Sequence, residues 1–72
     1  MVYYAPIYKK LGKRIAELQQ LKSLSQQELA HKAGMSPANL WEVINGRRNI
    51  TVKTAASIAD ALGVELAELF RF

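Results

Sequence analysis

The chain has 72 residues, half of them apolar, and no cysteine. That length supplies one core and not two, so a single domain over residues 1–72 is expected, and neither a disulfide framework nor a thiolate metal site or thiol nucleophile can be built. Ten Lys and Arg against six Asp and Glu leave a net charge of +4, unevenly placed: residues 1–53 hold nine basic and three acidic groups, residues 54–72 one basic and three acidic.

A basic front and a mildly acidic back suit a polyanion on one face, although charge alone fits a merely solvated positive face equally well. No stretch approaches the roughly 20 apolar residues of a membrane span. The opening Met1-Val2-Tyr3-Tyr4-Ala5-Pro6-Ile7-Tyr8 is too short for a signal-peptide core and has no basic segment before it. A soluble, cytoplasmic protein is the expectation.

In chain order, residues 1–6 read as an N-terminal extension. Ile7, Leu11, Ile15 and Leu18 then recur at helical spacing among Lys9, Lys10, Lys13, Arg14 and Glu17, which predicts a first helix over about residues 7–21 with Pro6 in its first turn. Ser25-Gln26-Gln27-Glu28 is a capping box, in which the serine oxygen and the glutamate carboxylate each satisfy a free backbone N–H of a helix start. The second helix has Leu29, Ala30 and Ala33 on its inner face and stops at Gly34, where a left-handed residue is needed. Only Met35 separates that stop from Ser36-Pro37, a cap followed by proline at the first helical position. Two helices joined this tightly must cross steeply. The third helix turns Leu40, Val43 and Ile44 inward and ends at Asn45-Gly46. Thr51 caps a fourth, with Val52, Ala55, Ile58, Ala59 and Leu62 inward and Gly63 as its stop, and a short fifth over about residues 65–70 presents Leu66, Leu69 and Phe70. No segment alternates with period two, so the fold class is all-α.

From about residue 25 to residue 45 the pattern is a helix-turn-helix: Leu29-Ala30, Gly34, then Leu40 and Val43. Ala30 is small where the second helix crosses, Gly34 makes the corner, and Leu40 with Val43 hold the next helix by its inner side. At 100° per residue the opposite side of that helix carries Ala38, Glu42 and Asn45, flanked by Asn39 and Trp41.

The chain resembles the Cro/cI-like family of phage repressors, restriction–modification controllers and antitoxins. The resemblance rests on Leu11-Gly12-Lys13-Arg14-Ile15, Leu24-Ser25-Gln26-Gln27-Glu28-Leu29-Ala30, Ala33-Gly34-Met35-Ser36, Asn45-Gly46-Arg47-Arg48-Asn49 and Ile58-Ala59-Asp60-Ala61-Leu62-Gly63-Val64 with Glu68-Leu69-Phe70, together covering about residues 11–70. It implies a five-helix fold like that of lambda repressor and a transcription regulator that lays its third helix in the major groove of double-stranded DNA. Ala38, Asn39, Trp41 and Glu42 are then the residues expected at base edges: Ala38 on a thymine methyl, Asn39 on adenine, Glu42 on cytosine N4. The resemblance also places Gln26, Ser36, Asn45, Arg47, Arg48 and Asn49 at phosphates. Lys53 points the same way by itself, because a cation in the first turn opposes the helix dipole unless an anion is near.

Each of these residues also has a plainer reading. Arg47 and Arg48 fit a solvated loop. Asn39 fits a local hydrogen bond at a helix start, Trp41 fits a ring folded over the core edge, and Glu42 would be repelled by phosphates unless a base amine or a neighbour such as Arg47 pairs with it. His31 is a surface histidine, and Tyr3, Tyr4 and Tyr8 are packing residues or a stacking platform. Gln19 and Ile44 stand where the family often pairs an arginine with a glutamate; Trp41, Glu42 and Ile50 also depart from its common residues.

One helix in one groove buries too little surface for a specific affinity of about 10⁻⁸ M, so a homodimer on a roughly palindromic site is expected. Leu66, Leu69, Phe70 and Phe72 are its candidate interface. A protein-interaction adapter is the rival reading, and RNA polymerase or a toxin are the protein partners the resemblance admits. No cofactor or metal is expected, and an enzyme is not: the sequence offers no nucleophile–base pair, phosphate-cradling glycine loop or metal cluster.

Overall fold

The computed structural model describes residues 5–72. Tyr3 and Tyr4 lie outside the described residues, and with them most of the expected tyrosine group. Four α-helices follow one another: α1 (Ala5–Leu21), α2 (Gln26–Ala33), α3 (Pro37–Ile44) and α4 (Val52–Leu62), and a 3₁₀ turn (Leu66–Phe70) closes the order. The described residues contain no strand. The all-α expectation therefore holds, with two adjustments: α1 begins inside the expected extension, and the fifth helix is a 3₁₀ turn.

Local chemistry accounts for each boundary. At the start of α2 the Ser25 hydroxyl oxygen accepts from the Glu28 N–H at 3.0 Å, and the Glu28 carboxylate accepts from the Ser25 N–H at 2.9 Å. The Ser25 backbone N–H, with a smaller contribution from the Ser25 side chain, holds the Glu28 carboxyl below its usual range. Ser36 caps α3 by accepting from the Asn39 N–H at 3.1 Å, and Thr51 caps α4 by accepting from the Thr54 N–H at 3.1 Å. Gly34 and Gly63 both stop their helices at φ +71°. The end of α1 lacks such a glycine: Ser23 adopts φ 56° itself, while the Leu24 N–H reaches back to the Gln19 carbonyl at 3.1 Å.

Each of the five elements contributes one large, fully buried side chain to the centre: Ile15, Leu29, Leu40, Ile58 and Leu69. Around them α1 packs on α3 and on the 3₁₀ turn, and α2 packs on α3 and α4. No polar side chain among the described residues is buried, so apolar packing alone stabilises the centre.

Three sequence expectations need correcting. Val52 is 75% exposed rather than inward, and Ile7, the first residue of the expected α1 stripe, is also exposed. Both stripes run past the segment that covers them, and their end residues line an open groove with Phe70. Leu69, expected at a subunit interface, is 0% exposed within the monomer. The reason is the tighter winding of the turn: in a 3₁₀ helix residues three apart eclipse, which turns Leu69 and the half-buried Leu66 together onto the core.

Candidate nucleic-acid interface

The position of α3 is set from behind by two glycines. A Cβ on Gly12, in the middle of α1, would lie 2.5 Å from the Val43 carbonyl oxygen and closer still to that of Ile44. Only a residue without a side chain lets α1 approach the last turn of α3 so closely. Gly46, just past that turn, faces the same helix: its Cβ would meet Lys9 Cα at 2.8 Å, and its φ is +67°. Backbone-to-backbone contact thus braces the C-terminal end of α3, while the Gly34 corner and the Ser36 cap direct its N-terminal end.

The side of α3 left outside carries Ala38, Asn39, Trp41 and Asn45, all exposed, and the half-buried Glu42. Every residue expected at base edges is therefore on the outer side, as the helical spacing required. Their interactions differ from those anticipated. Asn39 does not turn its side chain back on the helix start; its Oδ1 accepts from Arg48 Nη1 at 2.9 Å. Arg48, rather than Arg47, faces the Glu42 carboxylate, at 3.5 Å. The Arg47 guanidinium instead lies over the indole of Trp41, 5.0 Å from the ring centre. Such a stack is attractive by about 0.5–1 kcal/mol at an exposed site. Trp41 is 44% exposed and so does not fold away over the core. Asn45 donates one Nδ2 hydrogen to the Trp41 carbonyl at 2.8 Å, closing the helix end and leaving the other for the expected phosphate.

The residues expected at phosphates lie at the starts of α2, α3 and α4 and in the loop after α3. Gln26 is the first residue of α2, where unpaired backbone N–H groups and the helix dipole favour an anion. Ser36 uses its oxygen as a cap, which leaves its hydroxyl proton to donate outward. Arg47 and Asn49 are exposed in the loop after α3, and Lys53 is exposed in the first turn of α4. His31 is exposed on α2. Among the described residues no group of three His, Cys, Asp or Glu side chains comes together to hold a metal ion, and no helix is long and apolar enough to cross a membrane.

Sequence reasoning missed Lys9 and the pair formed by Arg14 and Glu68. Lys9 stands against Gly46 at the end of α3, adding a cation at that edge, and its only signal is the glycine that admits it. Arg14 donates from Nε to the Glu68 carbonyl at 2.9 Å and from Nη2 to the Glu68 carboxylate at 3.2 Å, tying α1 to the 3₁₀ turn. This ion pair lies elsewhere than the arginine–glutamate pair that Gln19 and Ile44 replace.

The helix-turn-helix family model matches residues 15–69. A transcriptional regulator of Sinorhizobium fredii, y4dJ, described as uncharacterized and of the helix-turn-helix type, is 41% identical over 61 residues, 85% of this chain and 79% of that protein. The immunity repressor protein of Bacillus phage phi105 is 30% identical over 59 residues, which are 82% of this chain and 41% of the repressor. The crystal structure of the restriction–modification controller protein C.AhdI from Aeromonas hydrophila superposes with a TM-score of 0.88 at 35% identity, covering 90% of this chain and 98% of the controller.

Proposed function

Because the chain belongs to the helix-turn-helix family of transcriptional regulators, we propose that it binds double-stranded DNA sequence-specifically, as a homodimer, with the outer side of α3 in the major groove. The observation that carries this reading is the placement of α3: braced by α1 through Gly12 and Gly46, its opposite side meets, among the described residues, only the Arg47 and Arg48 side chains of the following loop. Ala38, Asn39, Trp41 and Glu42 supply the groove-facing surface. Gln26, Ser36, Asn45, Arg47, Asn49 and Lys53 supply hydrogen bonds and positive charge to the phosphates on either side.

The dimer forms through the face that carries Phe70 and Phe72, which are 47% and 55% exposed. Leu66 contributes at its edge and Leu69 only supports it from within. Phe70 shares an open apolar groove of about 210 Å³ with Ile7, Tyr8 and Val52, which extends the apolar patch available to a second copy. Two-fold pairing sets the recognition helices about 34 Å apart on a roughly palindromic operator. In the cytoplasm, such a dimer controls transcription by covering a promoter or by touching polymerase.

Binding measured on a duplex selected from a random pool, over a range of salt concentrations, tests the reading. The affinity is expected to fall steeply with salt, log K declining by about 0.9 per phosphate neutralised, and Arg47→Ala is expected to weaken all duplexes alike. An affinity indifferent to salt, or no binding to any duplex in dilute buffer, would contradict it and favour a protein-interaction adapter.

A further inference from the structure

Building on the reading of α3 as the groove-facing helix, we propose that Arg48 reads a guanine and that Asn39 and Glu42 are the residues that aim it. The family resemblance places Arg48 with the loop residues that grip phosphates, but its side chain does not extend away from the protein as such a grip requires. It lies back along α3, where Nη1 donates to Asn39 Oδ1 at 2.9 Å and faces Glu42 Oε1 at 3.5 Å. The two acceptors are three residues apart, one turn of the helix, so the guanidinium is held against the surface that also carries Ala38.

An arginine fork has five N–H donors in one plane. Nη1 spends its two on Asn39 and Glu42, which leaves Nε and Nη2 along the opposite edge. That edge presents two parallel donors, the pattern that matches guanine O6 and N7 in the major groove. Nearly half of the Arg48 side chain remains exposed. The same bonds change what the helix residues can do. The Arg48 bond takes one Oδ1 lone pair and turns the Asn39 amide toward the guanidinium, so Asn39 is no longer free to align both its groups with adenine. Glu42 keeps Oε2 available for a cytosine amine, and its charge is balanced by Arg48 rather than left facing phosphates. A guanidinium already paired with a carboxylate also adds little to sequence-independent attraction.

The test selects duplexes from a random pool with the wild-type chain, Arg48→Ala, Arg48→Lys and Asn39→Ala, and then measures each protein on the preferred duplex and on its single-base variants at several salt concentrations. Wild type is expected to require guanine at one position in each half-site, by about 10- to 100-fold over other bases. Arg48→Ala is expected to lose that requirement while keeping the rest of the preference, and Arg48→Lys, which has no planar fork, is expected not to restore it. Asn39→Ala is expected to relax the same position, and an Asn39→Ala, Arg48→Ala double variant measured on the same duplexes to relax it no further than Arg48→Ala alone. If Arg48→Ala instead keeps every base preference, weakens all duplexes equally and lowers the salt slope by about one per subunit, Arg48 is a phosphate contact and the assignment is overturned. Relaxation by Asn39→Ala at a different position removes the aiming role. A wild type that binds no duplex overturns the DNA-binding reading as well, an outcome distinct from retained preference in Arg48→Ala.

Discussion

Gly12→Ala adds a single methyl group at the closest contact between α1 and α3. The new carbon would meet the Val43 carbonyl oxygen at 2.5 Å, the Ile44 carbonyl carbon at 2.7 Å, and the Ile44 oxygen nearer still. Ordinary contact for such atoms is about 3.5 Å, so the two helices must part by about 1 Å. The obstructing atoms are all backbone, and no side-chain rotation relieves them. Overpacking of this kind costs about 1–3 kcal/mol, of which the better helix propensity of alanine returns about 0.8–1 kcal/mol. The net loss, up to about 2 kcal/mol, lowers the melting temperature by up to about 15 °C in a domain of this size. Gly63→Ala is the matched control, because a Cβ there meets nothing within 4 Å and the penalty lies in its φ of +71°, about 1–2 kcal/mol. Thermal melts followed by circular dichroism read both losses, and duplex binding at a temperature where both variants are folded separates them. Gly12→Ala is expected to lose affinity as well as stability, because the end of α3 moves; Gly63→Ala is expected to lose stability alone. A Gly12→Ala protein that melts at or above wild type and binds as tightly would refute the bracing role.

Ser23→Gly relieves a left-handed serine at φ 56° and is expected to stabilise the chain by about 0.5–1 kcal/mol, seen as a higher melting temperature; an unchanged or lower one would argue against strain at that helix end. Leu69→Ala empties a fully buried position and is expected to cost about 2–5 kcal/mol, whereas Phe70→Ser is expected to cost the monomer less and to shift sedimentation toward the monomer. Equal melting losses, or a Phe70→Ser protein that remains dimeric, would go against this division of labour. Glu28 has its carboxyl held below the usual range by the Ser25 backbone and hydroxyl bonds. A depressed folded-state value adds stability above the unfolded value and loses it as pH falls through the folded one. The melting difference between wild type and Glu28→Gln is therefore expected to be constant near neutrality and to close in acid; a difference independent of pH would contradict the capping box as its source.

The helices and their ends were legible because the residues that make them act locally. Ser25, Ser36 and Thr51 bond to N–H groups three residues on, and Gly34 and Gly63 answer a demand of their own φ, so neighbouring sequence is enough to place them. The outer side of α3 followed from the spacing of Leu40 and Val43. What escaped were the relations between elements. The start of α1 lies where its apolar stripe has already run out, and Val52 and Ile7 continue a periodicity beyond the segment that covers it. Leu69 is buried because the last turn winds as 3₁₀, and five residues of sequence carry no sign of that choice. Arg48 pairs with Asn39 and Glu42 across a loop whose path depends on Gly46, so its direction was hidden even though its proximity to α3 was not. Gly12 stood in the sequence only as part of a motif, and what it makes room for became apparent only with α3 beside it.

The groove placement of α3 is tested most directly by amide chemical-shift changes in ¹⁵N-labelled protein titrated with its selected duplex. The expected changes concentrate on residues 38–42, on Gln26 at the start of α2, and on residues 47–49 with Lys53, leaving the second half of α4 and Leu66–Phe70 nearly unmoved. Changes centred on the Leu66–Phe70 surface, with residues 38–42 silent, would contradict it.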